Sequence, residues 1–206
     1  KMLPVLLVIA ILSLTVPTAV AKVGGKVSQP GEYMGYSEAI YDEWVRTSQY
    51  VEARDGTKLA VDIIRPSLDG ENPVTDPLPV VFSGERYLRA SYSATGTKTT
   101  LDAYPYLATL LKHGYVVAAA DARGTGASFG VFSGGSDMTE AYDWYDLTEW
   151  FAAQSWCDGN VGMYGASYRG TNQYWTAIAA PPHLKCLFPE VAPFDGYYSG
   201  MPNGIF

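Results

Sequence analysis

From residue 50 onward the apolar positions fall into short runs, and their spacing predicts a regular order of elements. Residues 50–53 and 59–65 are β-rich and flank Asp55-Gly56, a turn pair that predicts a hairpin closed by Pro66. A polar loop with three prolines follows, and Val80-Val81-Phe82 then reads as a short buried strand. Pro105 suits the first turn of a helix that carries Leu107, Leu110 and Leu111 on one face and ends with Gly114 at its C′ position. Residues 115–120 are apolar throughout and closed by Asp121, which predicts a second buried strand. Asp137-x-x-Glu140 has the form of a capping box, opening a helix with Trp144, Leu147 and Phe151 on one face that runs to about Gln154 before the Asp158-Gly159 turn. Residues 161–164 form a third buried strand, 167–180 a helix stopped by Pro181-Pro182, and 184–191 a fourth strand interrupted by Pro189.

Strand and helix alternate from residue 80. That order predicts an α/β fold with a mostly parallel sheet covered by helices on both faces, and with ligand sites at the carboxyl ends of the strands. Composition supports one domain or most of one: 206 residues, 48% hydrophobic and 17% charged, exclude disorder and leave enough apolar surface for a core. The balance of 14 basic against 21 acidic residues, a net charge of −7, argues against a nucleic-acid partner. Cys157 and Cys186 are too few for a disulfide scaffold and sit in no zinc-type cluster, so no metal is implied. The two cysteines read as buried thiols, with a bridge as the alternative.

The start of the chain carries its own signal. Residues 2–16 are almost wholly apolar and are followed by Ala19-Val20-Ala21, which reads as a signal peptide cut after Ala21, against a buried helix or a retained anchor. The protein is therefore expected to be secreted or periplasmic, without stable membrane association after cleavage. Residues 22–49 read as a leader and 50–206 as the N-terminal part of a larger catalytic domain, since Gly204-Ile205-Phe206 stops in mid-pattern.

The strongest chemical signal is Gly165-Ala166-Ser167-Tyr168-Arg169-Gly170, placed between a predicted strand and a predicted helix. A sharp small-residue turn there would lift the Ser167 hydroxyl clear of the sheet, in front of a helix N-terminus that favours the negative charge formed when the oxygen attacks a carbonyl. The fifth position of the usual Gly-x-Ser-x-Gly is Arg169, with the glycine displaced to Gly170. Taken by itself, the segment reads equally as an ordinary serine N-cap.

Separated segments in order shift that balance. Asp121-Ala122-Arg123-Gly124-Thr125-Gly126, Glu149-Trp150-Phe151-Ala152-Ala153-Gln154-Ser155-Trp156, Gly165-x-Ser167-Tyr168-x-Gly170 and Pro181-Pro182-His183-Leu184-Lys185 together resemble the cocaine-esterase and X-prolyl dipeptidyl-peptidase family of serine hydrolases, whose own elbow has the displaced glycine. The resemblance runs from about Ala53 to the end of the chain. It implies an α/β-hydrolase core truncated before a helical cap and a C-terminal β-domain. It also implies an acyl-enzyme on Ser167, and an oxyanion hole made by the Tyr168 backbone N–H and the Tyr87 hydroxyl, which follows Pro79-Val80-Val81-Phe82-Ser83-Gly84-Glu85-Arg86. The implied substrate is a small ester or a short peptide, with X-prolyl dipeptidyl peptidase or α-amino-acid ester hydrolase activity as alternatives and no cofactor.

The same resemblance places the triad aspartate and histidine after the cap, beyond Phe206. His183 then falls at the amino end of a strand, away from the elbow, and His113 beside Gly114 reads as a helix-end cation. Asp121 is expected to pair with Arg123 in shaping its loop rather than to take part in the chemistry. Asp195 matches an acidic position that belongs to a carboxylate cluster in α-amino-acid ester hydrolases. If the chain were complete at Phe206, the competing expectation would be a non-catalytic binding module.

Overall fold

The computed structural model describes residues 37–132 and 138–201. Predicted features at 1–21, at Asp137 and at 204–206 lie outside the described residues. In chain order the elements are β1 (Glu43–Glu52), β2 (Lys58–Ser67), β3 (Leu78–Glu85), β4 (Ala90–Ser93), β5 (Gly96–Thr99), α1 (Thr100–Ala103), α2 (Leu107–Lys112), β6 (Val116–Asp121), α3 (Met138–Ala152), β7 (Cys157–Ala166), α4 (Tyr168–Ala179), β8 (Leu184–Glu190) and α5 (Gly196–Gly200).

Six strands form one sheet in the order β1-β2-β6-β3-β7-β8. The β1/β2 and β2/β6 pairs are antiparallel, whereas β6, β3, β7 and β8 run parallel. The predicted hairpin forms, with Gly56 at φ +81° and Asp55 Oδ1 accepting the Thr57 N–H at 2.9 Å, but Pro66 does not close it: β2 runs on through Pro66, which pairs with Trp44 of β1, to Ser67. β1 starts well before the predicted strand, at Glu43, inside the stretch read as a leader. Its residues are mostly exposed and polar, so it has no apolar alternation to betray it, and backbone pairing to β2 alone defines it. β4 and β5 form a separate small hairpin that the sequence pattern did not predict.

Helices cover both faces. Leu107 and Leu111 of α2 pack with Ile64, Val117 and Tyr164 on one face. On the other, Trp144, Leu147 and Phe151 of α3 pack with Ile63, Phe82, Ala118, Val161 and Met163. Helix α2 ends as predicted, with Gly114 at φ +82° just past its last turn. From the central β3 the chain leaves through α2 to β6, then returns through α3 to β7 on the other side of β3. The carboxyl ends of β3 and β7 thus flank a topological switch point, the place where such sheets open a crevice.

Both cysteines are free thiols and Cys157 is buried, as expected; Cys186 differs, being exposed on β8, an edge strand among the described residues. Pro189 is tolerated on the same strand, opposite Gly165, because an edge position can go without the donor that proline lacks.

Candidate active site

Ser167 stands at the junction of β7 and α4 with φ +61° and ψ −125°, a backbone conformation that non-glycine residues rarely hold. An ordinary N-cap serine has β-region dihedrals and turns its hydroxyl back on the helix; Ser167 has neither feature, since its side chain makes no capping hydrogen bond. The capping reading is therefore set aside by the geometry. The turn survives because it is held on both sides: Ser167 N–H donates to Glu190 O of β8 at 3.0 Å, and Ser167 O accepts from the Gly170 and Thr171 N–H groups of α4, both at 2.9 Å.

Both glycines of the segment are needed for close approach. A Cβ on Gly165, which has φ +135°, would stand 2.6 Å from Arg169 Cβ. A Cβ on Gly170 would stand 2.6 Å from Glu190 O and 2.7 Å from Ala192 Cβ, so the displaced glycine marks where α4 crosses the end of β8.

Tyr87 comes from the loop after β3, next to Leu88, whose own φ is +74°. The Tyr87 hydroxyl lies 3.0 Å from Ser167 Oγ and accepts the Tyr168 N–H at 3.3 Å. The three residues named from the sequence thus meet, across 80 residues of chain. The Tyr168 N–H is one of the unpaired donors of the first turn of α4, so it carries the positive end of the helix dipole to the same point.

Around this point the polar residues are tightly engaged. Asp121 is not paired with Arg123, as the sequence suggested. Its carboxylate accepts Arg89 N–H at 2.8 Å and Ala127 N–H at 3.0 Å, tying the Tyr87 loop to the loop after β6. Arg123 instead reaches α3 and the hairpin turn, with Nη2 2.5 Å and Nε 2.6 Å from the two oxygens of Asp143 and Nη1 2.9 Å from Asp55. These partners hold the Arg123 guanidinium protonated and, through that hydrogen bond, pull the Asp55 carboxyl down to about 2. The predicted structural role for Asp121 holds, with a different partner.

Several participants had no sequence signal strong enough to single them out. Glu140, read as the third residue of a capping box, has both carboxylate oxygens taken by Arg86 and by the Tyr168 hydroxyl. Glu85 is buried at the end of β3, where desolvation pushes its carboxyl up despite the Ser83 hydroxyl and the Arg169 guanidinium beside it. The buried face of α4 is polar: Gln173 donates to Arg169 O and Phe188 O and accepts from Phe188 N–H, and Asn172 donates to Gly84 O. These amides fasten the helix behind Ser167 to the ends of β3 and β8. Their only trace in the sequence is an Asn-Gln pair where an amphipathic helix would carry apolar residues.

The other candidates lie elsewhere. His183 precedes β8 at the sheet's amino end, with Nδ1 2.7 Å from Glu149 Oε2. His113 caps the C-terminus of α2, also at an amino end. Asp195 caps α5, its Oδ1 accepting Tyr197 N–H at 2.9 Å. A cavity of about 220 Å³ lined by Tyr87, Leu88, Arg89, Lys98, Asp102 and Tyr104 adjoins the Tyr87 loop, whereas a larger one of about 280 Å³ lies by Pro181 and Leu184, at the opposite end of β8. Among the described residues, no group of three His, Cys, Asp or Glu side chains is placed to hold a metal ion, and no helix is long and apolar enough to cross a membrane.

A strained serine between a parallel strand and its following helix, at the switch point of a sheet clad on both faces, defines the α/β-hydrolase class. Within that class the chain belongs to the X-Pro dipeptidyl-peptidase (S15) family, which it matches over residues 55–206. It is 36% identical to the cocaine esterase of Rhodococcus sp. (strain MB1 Bresler) over 153 residues, 74% of this chain and 24% of that protein. A CocE/NonD family hydrolase from Staphylococcus aureus superposes with a TM-score of 0.62 at 32% identity, covering 76% of this chain and 29% of that one. An α-amino acid ester hydrolase superposes equally well, at 0.62, with 21% identity over 90% of this chain and 30% of the other, which speaks to the fold. The chain thus spans about a quarter of the length of the esterase it matches.

Proposed function

We propose that this chain carries the nucleophile and the oxyanion hole of a serine hydrolase that cleaves esters or amides through an acyl-enzyme on Ser167. The observation that supports it most is that the Tyr87 hydroxyl stands 3.0 Å from Ser167 Oγ and 3.3 Å from the Tyr168 N. Ser167 Oγ attacks the carbonyl carbon and gives its proton to a general base. The carbonyl oxygen, now an anion, takes hydrogen bonds from Tyr87 O–H and Tyr168 N–H. Collapse expels the alcohol or amine, which leaves with the proton from the base, and water repeats the sequence to free the acid. Both histidines of the described residues sit at the amino end of the sheet, so the base and its acidic partner are assigned to a part of the protein outside these 206 residues.

Esters are the preferred substrates because the 36%-identical relative is an esterase, and short peptides are the second reading because of the family's own description. Asp195 accepts the Tyr197 N–H at Oδ1 and does not select among these substrates, so α-amino-acid esters stay as a further alternative. The test is labelling of the natural full-length protein with a fluorophosphonate probe. Phosphonylation of the tryptic peptide carrying Ser167 is the expected result; an unlabelled serine would make the chain a binding module instead.

Tyr87→Phe removes the oxyanion hydroxyl and keeps the ring. Its kcat for an aryl ester should fall by about 10²–10³-fold with KM little changed, and steady-state kinetics showing less than a threefold loss would remove Tyr87 from the mechanism. Export is the companion proposal, supported by the apolar run at 2–16 and Ala19-Val20-Ala21. N-terminal sequencing of the protein from its native host should begin at Lys22, and a retained Leu3 would point to an anchor.

A further inference from the structure

Glu140 lies in the first turn of α3, is fully buried, and joins the two strands of chain that supply the oxyanion donors. Its Oε1 accepts from Arg86 Nη2 at 2.6 Å, and its Oε2 accepts from the Tyr168 hydroxyl. Arg86 immediately precedes Tyr87, and Tyr168 carries the N–H that faces the Tyr87 hydroxyl. The Arg86 guanidinium also stands over two rings of this group, with Cζ 3.9 Å from the Tyr168 ring centroid and 4.2 Å from that of Phe132. Burial and the neighbouring carboxylate both push the Tyr168 phenol above its usual range, so the phenol remains a donor to Glu140.

A carboxylate with no exposed surface is costly unless both oxygens are satisfied by strong donors, and here each has one. From these contacts we propose that Glu140 is a positioning residue of the oxyanion hole: one buried carboxylate from α3 clamps the loop after β3 to the start of α4 and so fixes the spacing of Tyr87 O–H and Tyr168 N–H. The inference rests on the serine-hydrolase reading above. An oxyanion hole acts on charge that exists only in the transition state, so a small misplacement of its donors lowers turnover and leaves ground-state binding nearly untouched. The clamp therefore has a signature that loss of fold alone would not give.

The experiment uses the natural full-length protein with p-nitrophenyl butyrate as substrate and phenylboronic acid as a tetrahedral analogue. Glu140→Gln and Tyr168→Phe should each lower kcat by roughly 10- to 100-fold with KM within about twofold, and weaken phenylboronic acid binding by a similar factor. The double variant should be no worse than Glu140→Gln, because both changes break the same contact. Tyr168→Phe removes one hydroxyl and leaves Glu140 paired with Arg86, so it answers the question even if Glu140→Gln fails to fold. Ser167→Ala is measured alongside. If Ser167→Ala is inactive while Tyr168→Phe keeps the parent kcat and phenylboronic acid affinity, the clamp is overturned and the serine-hydrolase reading stands. If Ser167→Ala retains the parent activity, that reading falls first and the clamp with it.

Discussion

Replacing Ser167 by alanine should lower kcat for a simple aryl ester by roughly 10⁴-fold or more, since removal of a nucleophile leaves only binding and oxyanion stabilisation. KM should change little, because Oγ contributes nothing specific to ground-state binding. Ser167→Gly separates the chemistry from the strain. It lacks the same nucleophile, yet glycine accepts φ +61° at no steric penalty, so it should be equally inactive and about 1 kcal/mol more stable than the alanine variant. Hydrolysis rates and thermal unfolding of the two full-length variants check both halves. Residual activity within tenfold of the parent would remove Ser167 from the mechanism, and equal stabilities would mean that the turn stores no strain.

Asp143→Asn is expected to cost about 3–5 kcal/mol, the effect of removing one partner of a buried ion pair and leaving the other charge behind. Asp143 is 1% exposed and Arg123 8%, and the two oxygens of the carboxylate bind two nitrogens of the guanidinium. Asp55 cannot take over, because it is largely exposed and its share of the pair is screened by water. Thermal unfolding of the full-length protein should show a clear fall in transition temperature. Arg123→Met combined with Asp143→Leu should cost less than Asp143→Asn alone, since no charge is then left unpaired. A transition unchanged to within a degree in Asp143→Asn would mean the pair is not structural. The site would feel the loss too: Arg123 joins the hairpin turn to α3, the helix that also carries Glu140.

Much of this molecule is written in local chemistry. Continuous apolar runs such as Val116 to Ala120 form strands buried on both faces, Gly56 and Gly114 turn the chain where only positive φ will serve, and Gly165 and Gly170 bracket a serine between strand and helix. Most of those features depend on neighbours within a few residues, so they could be read directly; the need for Gly170 is the exception, since Glu190 and Ala192 set it from about twenty residues away. The local view reached its limit at β1, whose polar residues show no period because its partner strand supplies the order. It was wrong about Asp121 and Arg123, which look like natural partners two residues apart. The chain turns between them, sending one side chain to loop N–H groups and the other to α3.

The sequence by itself therefore determined the alternation of the main strands and helices from residue 80, the α/β class and the turn that sets Ser167 between a strand and a helix, because periodicity and turn residues act over short stretches of chain; β4, β5, α1 and α5 left no such trace. The Tyr87 position was legible only through resemblance to a family. The tertiary structure alone decided that its hydroxyl stands 3.0 Å from Ser167, that Glu140 binds both Arg86 and Tyr168, and that the amides of α4 hold the elbow to β3 and β8. These contacts span 15 to 88 residues. Strand order and the burial of polar groups select them, and buried polar groups must find partners wherever the fold brings them.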